Sequence, residues 1–164
     1  MALNGYATAF AVKPAVVKIA RANSSPGLSR SLILVVDDDW GVRESLILLL
    51  AAAGYQATAA QNGLEALQCI QKQAPTLLMC DLEMPRMSGP ELLQIVRRQF
   101  PGIAVIAMSG SYADDTVPEG LMADAFYCKG AQRPTDLFRM IADVIRTSDS
   151  RGQLHSTGVS DKHF

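Results

Sequence analysis

Four short apolar runs without polar alternation constrain the fold of this 164-residue chain more than any other feature. They are LILVV at 32–36, LLMC at 77–80, IAVIAM at 103–108 and AFYC at 125–128. A strand that is apolar on both sides needs cover on both faces, as the strands of a parallel sheet do. The runs therefore predict buried parallel strands with helices packed on either side of the sheet.

The segments between these runs have helical patterns. The predicted helices cover 41–54, 63–73, 87–100 and 134–147, and a weaker, Ala-rich strand covers 55–60. Strands and helices that alternate along a chain imply right-handed crossovers within one parallel sheet. We therefore predict an α/β fold with a doubly wound, five-stranded parallel sheet in three α/β/α layers. A further helix is due at 111–124, but Pro118 and Gly120 interrupt it, so we expect it to be short or displaced.

Composition divides the chain into three parts. A linker-like stretch, NSSPGLSRS at 23–31, precedes the patterned region, and a short polar segment follows it. We predict a flexible N-terminal arm over 1–30, a domain over 31–147 and a flexible C-terminal tail over 148–164. The tail is too short and polar to bury a core, so we expect the domain to act without an attached output domain.

Charge and cysteine usage argue against several classes of protein. The net charge is −1, and the four basic residues of 1–36 are spread too thinly for strong attraction to nucleic acid or to a membrane surface. No apolar run reaches the length of a membrane span. The cysteines, Cys69, Cys80 and Cys128, are odd in number and form no CxxC pair. We therefore expect buried free thiols in the reducing cytoplasm.

Chemically functional side chains follow four of the predicted strands. Asp37 and Asp38 follow the first apolar run, Asp81 the second, Ser109 the third and Lys129 the fourth. Because ligands of an open parallel sheet bind beyond the carboxyl ends of its strands, these side chains should converge in one cleft. A carboxylate cluster suits Mg²⁺, and a carboxylate beside a metal, a cation and a hydroxyl suits phosphoryl transfer through an aspartyl phosphate.

These residues carry a resemblance to a known family. The stretches LILVVDDDWGVRESL, LLMCDLEMPRMSGPELL, VIAMSG and AFYCKG together resemble the receiver domain of two-component response regulators. The resemblance covers 31–147 and implies a flavodoxin/CheY-like fold. It also implies a receiver that takes part in phosphorelay signal transduction by switching protein–protein interactions, and the short polar tail leads us to expect that it stands alone. Enzyme activity would be limited to self-phosphorylation and self-dephosphorylation.

The resemblance assigns roles to the acidic residues. Asp81 would be the phosphoacceptor. Asp37, Asp38 and Asp81 would hold Mg²⁺ together with the backbone carbonyl of Glu83, with Asp38 a direct ligand and Asp37 acting through water. For Asp39 we favour the interpretation of a solvated acid that the dipole of the following helix stabilises.

The resemblance also assigns a switch and its partners. Ser109 and Lys129 would contact phosphoryl oxygens, and Ser109 would move together with Phe126, which occupies the aromatic switch position. Receivers usually carry proline after the lysine, but Gly130 stands here, and a cis bond to glycine costs about 3–4 kcal/mol. We therefore expect a trans bond or a reshaped loop. The phosphodonor would be a sensor histidine kinase or a histidine phosphotransfer protein; the sequence leaves the downstream target unknown and the oligomeric state, a homodimer included, open.

Two alternatives stay open at this point. A pseudo-receiver would have the same fold and act as a constitutive binding module without phosphorylation; the absence of Mg²⁺ affinity would favour it. A haloacid-dehalogenase-like phosphatase would use Asp37 as its nucleophile, because DDD contains a DxD. Phosphomonoester turnover that Asp37→Asn abolishes and Asp81→Asn spares would favour that enzyme.

Overall fold

The computed structural model describes residues 31–111, 119–130 and 133–156. The predicted arm, half of the interrupted helix at 111–124 (residues 112–118) and the last eight residues of the predicted tail lie outside this part of the chain. The domain boundaries at 30 and 147 therefore stay predictions.

The described strands form one five-stranded parallel sheet in the order β2-β1-β3-β4-β5. The strands are β1 (Leu32–Val36), β2 (Gln56–Ala60), β3 (Leu77–Asp81), β4 (Ala104–Ser109) and β5 (Ala125–Cys128). The direction of strand addition reverses between β1 and β3, which makes the gap between them the topological switch point of the sheet. The predicted doubly wound α/β fold is confirmed.

Four described helices pack on this sheet. They are α1 (Trp40–Ala52), α2 (Gly63–Lys72), α3 (Gly89–Gln99) and α4 (Pro134–Ser156). The end predicted for the last helix, residue 147, was wrong, because α4 continues through nine more residues. The prediction followed the loss of apolar residues, whereas an existing helix gains one backbone hydrogen bond for each residue added and can continue without a buried face.

Side-chain caps fix where the helices begin. Asp39 accepts a hydrogen bond from the backbone N–H of Val42 at 3.0 Å and so caps α1. Asn62 caps α2 through the backbone N–H of Glu65, also at 3.0 Å. Ser88 and Glu91 form a reciprocal capping box at the start of α3. The caps of α1 and α3 hold the chain immediately after β1 and shortly after β3, beside the functional side chains.

The sheet is covered on both faces, as predicted. Side chains that alternate along β1 point into two separate cores: Ile33 and Val35 into one, Leu34 and Val36 into the other. Helices α1 and α4 complete the first core, and α2 and α3 complete the second. This arrangement gives the three predicted layers.

None of the three cysteines forms a disulfide bond. Cys80 and Cys128 are buried, as predicted, and burial raises the pKa of the Cys80 thiol well above its ordinary value. The prediction of full burial was wrong for Cys69, which is half-buried, because it lies on α2 between the core side and the solvent side of that helix.

The described segment 119–124, which leads into β5, contains no helix. It is attached to α3 through Arg97, whose guanidinium donates to the carbonyl of Met122 at 3.1 Å and to the carboxylate of Asp124 at 2.7 Å. The same carboxylate accepts the backbone N–H of Val105 at 2.8 Å. These bonds hold the entry to β5 against the beginning of β4.

Candidate functional site

The carboxyl ends of β1, β3, β4 and β5 meet at one edge of the sheet. In the strand register, Asp81 lies opposite Met108, and Ser109 lies opposite Cys128. The structure therefore brings the residues that follow these strands to the same edge, as the sequence predicted. Asp37 and Asp81 lie on either side of the β1–β3 switch point, where an open sheet splays and a ligand can enter.

Three carboxylates meet at this edge. Asp37, Asp38 and Asp81 each offer an oxygen, and these oxygens lie within 4.8 Å of one another. Asp37 is fully buried and Asp81 is 3% exposed, whereas Asp38 lies at the surface. The cluster therefore has two carboxylates fixed inside the protein and one that faces solvent.

Lys129 bridges the two buried carboxylates. Its Nζ lies 2.6 Å from Asp37 Oδ2 and 3.0 Å from Asp81 Oδ1. The backbone N–H of Lys129 also donates to the carbonyl of Ser109 at 2.9 Å, which anchors the end of β5 to β4. One ammonium against three carboxylates leaves the cluster with two negative charges, which a divalent cation would neutralise.

The loop after Lys129 differs from the usual pattern of receivers, as expected. The described backbone contains no cis peptide bond, and Gly130 has φ of +79°. Proline is restricted to φ near −65°, so this backbone conformation could not accommodate it. The expectation of a trans bond is confirmed, and the ion pairs show that Lys129 still reaches the acidic cluster.

The ionisation of the site reflects burial and pairing. Burial raises the pKa of the Asp81 carboxyl above its ordinary value, although the Lys129 ammonium and the backbone N–H of Glu83 pull it down in part. For Lys129, burial alone would lower the pKa, but hydrogen bonds to Asp37 and Asp81 outweigh it and raise the pKa. The ammonium is therefore held charged where a phosphoryl oxygen would need a cation.

Two further groups hold Asp37 in place. Its Oδ1 accepts the backbone N–H of Asp39 at 2.9 Å, and its backbone carbonyl accepts Arg43 Nη1 at 2.6 Å. Asp39 itself is exposed and caps α1, which confirms the interpretation of a solvated acid beside the helix dipole. The sequence reasoning missed Arg43; the available signal was its position as the only cation of α1, in the first turn after the acids.

A hydroxyl and a carboxylate border the site on the β4 side. Ser109 is fully buried, and its Oγ accepts the backbone N–H of Ser111 at 3.0 Å. The Ser111 hydroxyl in turn donates to Glu83 Oε2 at 3.1 Å. This bond joins the loop after β3 to the loop after β4 at the surface. The sequence did not predict this contact, since 28 residues separate its partners.

The loop between β3 and α3 approaches Asp81 closely at Gly89. A Cβ at this position would lie 2.3 Å from the Asp81 carbonyl oxygen and 2.6 Å from Leu82 Cα. Arg86, in the same loop, has φ of +73°, a left-handed backbone conformation that is unfavourable for residues other than glycine. Tight packing of the backbone at Gly89 against the end of β3 therefore fixes the position of Asp81.

Phe126, predicted as the aromatic switch residue, is 1% exposed and belongs to the core under α2 and α3. It lies on β5 opposite Ala107 of β4, two residues before Ser109. The structure therefore places the aromatic ring in the buried position, on the strand next to the one that carries Ser109.

The acidic cluster suits a hard divalent cation. Its ligand atoms are carboxylate oxygens, the donors that Mg²⁺ prefers, and one side of the cluster faces solvent and could retain metal-bound waters. A separate cavity of about 440 Å³ lies between β5 and α4. Its lining begins at Asp124 and Ala125, at the amino end of β5, so it is not continuous with the acids.

A comparison with protein-family models gives a result that is consistent with the fold and with the acidic cluster. The model of the response regulator receiver domain matches residues 33–130. The chain belongs to the response regulator receiver family. The matched range includes the predicted site residues from Asp37 to Lys129, and membership places the chain among the domains of two-component phosphorelay signalling.

Curated relatives of this receiver differ in length. The chain is 32% identical over 119 residues to the DNA-binding transcriptional regulator NtrC of Escherichia coli, an alignment that covers 73% of this chain and 25% of NtrC. It is 37% identical over 87 residues to sporulation initiation phosphotransferase F of Bacillus subtilis, covering 53% of this chain and 70% of that protein. The aligned part of the chain thus spans about a quarter of the length of the NtrC relatives.

Solved structures share the fold. A CheY-like response regulator receiver domain from Methanospirillum hungatei aligns with a TM-score of 0.65 and 27% identity, covering 74% of this chain and 98% of that one. The chemotaxis protein CheY4 of Vibrio cholerae aligns with a TM-score of 0.61 and 26% identity, covering 70% and 98%. Among the residues that the structure describes, no helix combines the length and apolar content that crossing a membrane requires.

Proposed function

We propose that this receiver is a phosphorylation-dependent switch with Asp81 as the phosphoacceptor. The observation that carries the proposal is the convergence of Asp37, Asp38 and Asp81 around the ammonium of Lys129. Phosphoryl transfer depends on positioning and on charge stabilisation, and this edge of the sheet supplies both. The phosphodonor is a phosphohistidine on a sensor histidine kinase or on a histidine phosphotransfer protein.

The transfer forms one bond and breaks one. A carboxylate oxygen of Asp81 attacks the phosphorus, the P–N bond of the phosphohistidine breaks, and the electron pair stays on the imidazole nitrogen. Asp37, Asp38, Asp81 and the backbone carbonyl of Glu83 would hold Mg²⁺, with Asp38 bound directly and Asp37 through water. The metal would supply positive charge to the phosphoryl oxygens.

Phosphorylation changes the hydrogen-bond partners of Lys129. In this structure, Lys129 divides its hydrogen bonds between Asp37 and Asp81. A phosphoryl group on Asp81 brings new anionic oxygens to the same place, and Lys129 pairs with one of them. Ser109, whose Oγ accepts the Ser111 N–H in this structure, moves toward another of these oxygens and donates its hydroxyl proton to it.

The movement of Ser109 connects the chemistry to a surface. Ser109 and Phe126 lie on neighbouring strands, β4 and β5, so a new position of the Ser109 side chain changes the space open to the ring. Phosphorylation then shifts a pre-existing equilibrium between two arrangements of these side chains. The readout is a change in protein–protein contacts with a downstream target.

A pseudo-receiver is the second candidate, and one observation favours it. Lys129 pairs with both buried acids in this structure and offsets part of their charge, as a binding module that works without a metal would require. The phosphatase alternative has less support, because Asp37 is fully buried and both of its carboxylate oxygens already accept hydrogen bonds. A cytoplasmic location and action without an output domain stay predictions.

The test uses Trp40, the only tryptophan of the chain. It lies two residues from Asp38 and is 69% exposed. Its fluorescence would be followed during titration with Mg²⁺ and then with beryllium fluoride, a phosphoryl mimic, with calorimetry of Mg²⁺ binding alongside. We expect saturable Mg²⁺ binding and a response to the mimic that Asp81→Asn abolishes. Absence of Mg²⁺ binding by both methods would favour the pseudo-receiver.

A further inference from the structure

The first helix carries an apolar face that lies in solvent. Among the residues of α1, only Arg43, Glu44 and Ser45 have polar side chains. A helix that is apolar on all sides is normally buried on all sides. In α1, however, Leu48 is 57% exposed and Trp40 is 69% exposed.

Four of the exposed residues of α1 form one stripe, which we call the α1 face. Trp40, Glu44, Leu48 and Ala52 follow one another at intervals of four residues and are all exposed. Residues four apart lie on the same side of a helix, so the three apolar members and Glu44 form a continuous surface along α1. Asp38 and Asp39, both exposed, lie just before its Trp40 end.

The chain itself contains a segment of complementary chemistry. Residues 10–22 read FAVKPAVVKIARA and combine apolar residues with Lys13, Lys18 and Arg21. None of the 16 acidic residues of the chain precedes Asp37. A basic and apolar segment therefore fits a face that is apolar and has acidic neighbours.

The connection to the domain puts the α1 face within reach of this segment. The carbonyl of Ser31 accepts the backbone N–H of Gln56 at 3.3 Å, so the chain enters the sheet beside the segment that follows α1. The stretch from 22 to 31 can span roughly 30 Å when extended, and the 13 residues of α1 are about 20 Å long. A tether of this length gives an effective concentration in the millimolar range, so a weak contact suffices.

We propose that residues 10–22 dock onto the α1 face of the same molecule. The apolar side chains of the segment cover Leu48 and Trp40, and its basic side chains lie near Glu44 and the acids before α1. The N-terminal arm is then an intramolecular cover for an apolar helix face, and it competes with any other protein that would bind there.

Limited trypsin digestion of the full chain tests this contact. Trypsin can cleave after Lys18 and Arg21 inside the segment and after Arg30 outside it. Leu48→Gln should raise the cleavage rate at the first two sites about tenfold, as expected when a leucine side chain loses its burial. Leu64→Gln, on α2 and 52% exposed in the native protein, is the matched control and should leave all cleavage rates unchanged. The rate of cleavage after Arg30 should be the same in every variant.

A second readout comes from the other side of the contact. Acrylamide quenching of Trp40 should increase in Val16→Gln, because the docked segment shields the indole. Equal cleavage rates in Leu48→Gln and Leu64→Gln, together with unchanged quenching, would overturn the proposal. Protection of Lys18 and Arg21 that grows with protein concentration would also overturn it, since a second copy would then be the occupant.

Discussion

Gly89 offers the sharpest test of how the backbone positions Asp81. In Gly89→Ala, the new methyl group would lie 2.3 Å from the carbonyl oxygen of Asp81 and 2.6 Å from Leu82 Cα. Both contacts are with backbone atoms, so no side chain can rotate away. The start of α3 and the end of β3 must separate by about 1 Å to restore ordinary contact distances near 3.5 Å.

The expected cost follows from two opposing effects. Overpacking of this kind costs about 1–3 kcal/mol, and the better helix propensity of alanine returns up to about 1 kcal/mol. We therefore expect Gly89→Ala to lower the free energy of unfolding by about 1–2 kcal/mol. Urea denaturation would measure it as a lower midpoint with an unchanged slope.

Gly102→Ala is the matched control. A Cβ there has no heavy atom within 4 Å, and the residue has no left-handed φ. This variant should stay within about 0.5 kcal/mol of the parent protein. If Gly89→Ala and Gly102→Ala unfolded at the same urea concentration, the argument that tight backbone packing fixes Asp81 would be refuted.

Three further predictions concern the surroundings of the site. Arg97→Met removes the guanidinium bonds to Asp124 and to two carbonyls; the free energy of unfolding in urea should fall by about 2 kcal/mol. Arg86→Gly relieves a φ of +73° and should raise that free energy by about 1 kcal/mol. Bonds from Ser88 lower the pKa of Glu91 below its ordinary value of 4.5. The Glu91 carboxylate therefore stabilises the folded protein fully above pH 4.5, and this contribution is lost as the pH falls through the lowered pKa. The difference in urea midpoint between the parent protein and Glu91→Ala should be clear at neutral pH and vanish in strong acid; a difference independent of pH would contradict this.

The sequence was sufficient for the fold because its strongest signals were local. The apolar runs at 32–36 and 77–80 have no polar alternation, and in the structure both are almost entirely buried. The start of α2 at Gly63 was also predicted correctly, whereas α3 begins at Gly89 and not at the predicted residue 87, because Ser88 and Glu91 form a capping box there. The end of α4 could not be predicted, because no helix-breaking residue stands where its apolar pattern fades.

The site was predictable in its acids and not in its long-range contacts. The positions of Asp37, Asp81 and Lys129 after their strands predicted convergence, and the ion pairs confirm it. The Ser111–Glu83 bond joins two loops whose conformations the sequence does not specify. The close approach at Gly89 likewise depends on how α3 packs beneath β3, which local pattern does not reveal.

Covalent labelling tests the central claim, phosphorylation of Asp81, most directly. The full chain would be incubated with acetyl phosphate, a small phosphodonor, in the presence and absence of Mg²⁺, and its intact mass and peptide map would be recorded. The account predicts one phosphoryl group on Asp81 that requires Mg²⁺ and is absent from Asp81→Asn. Equal uptake of phosphate by Asp81→Asn, or no uptake by a folded protein that binds Mg²⁺, would contradict it.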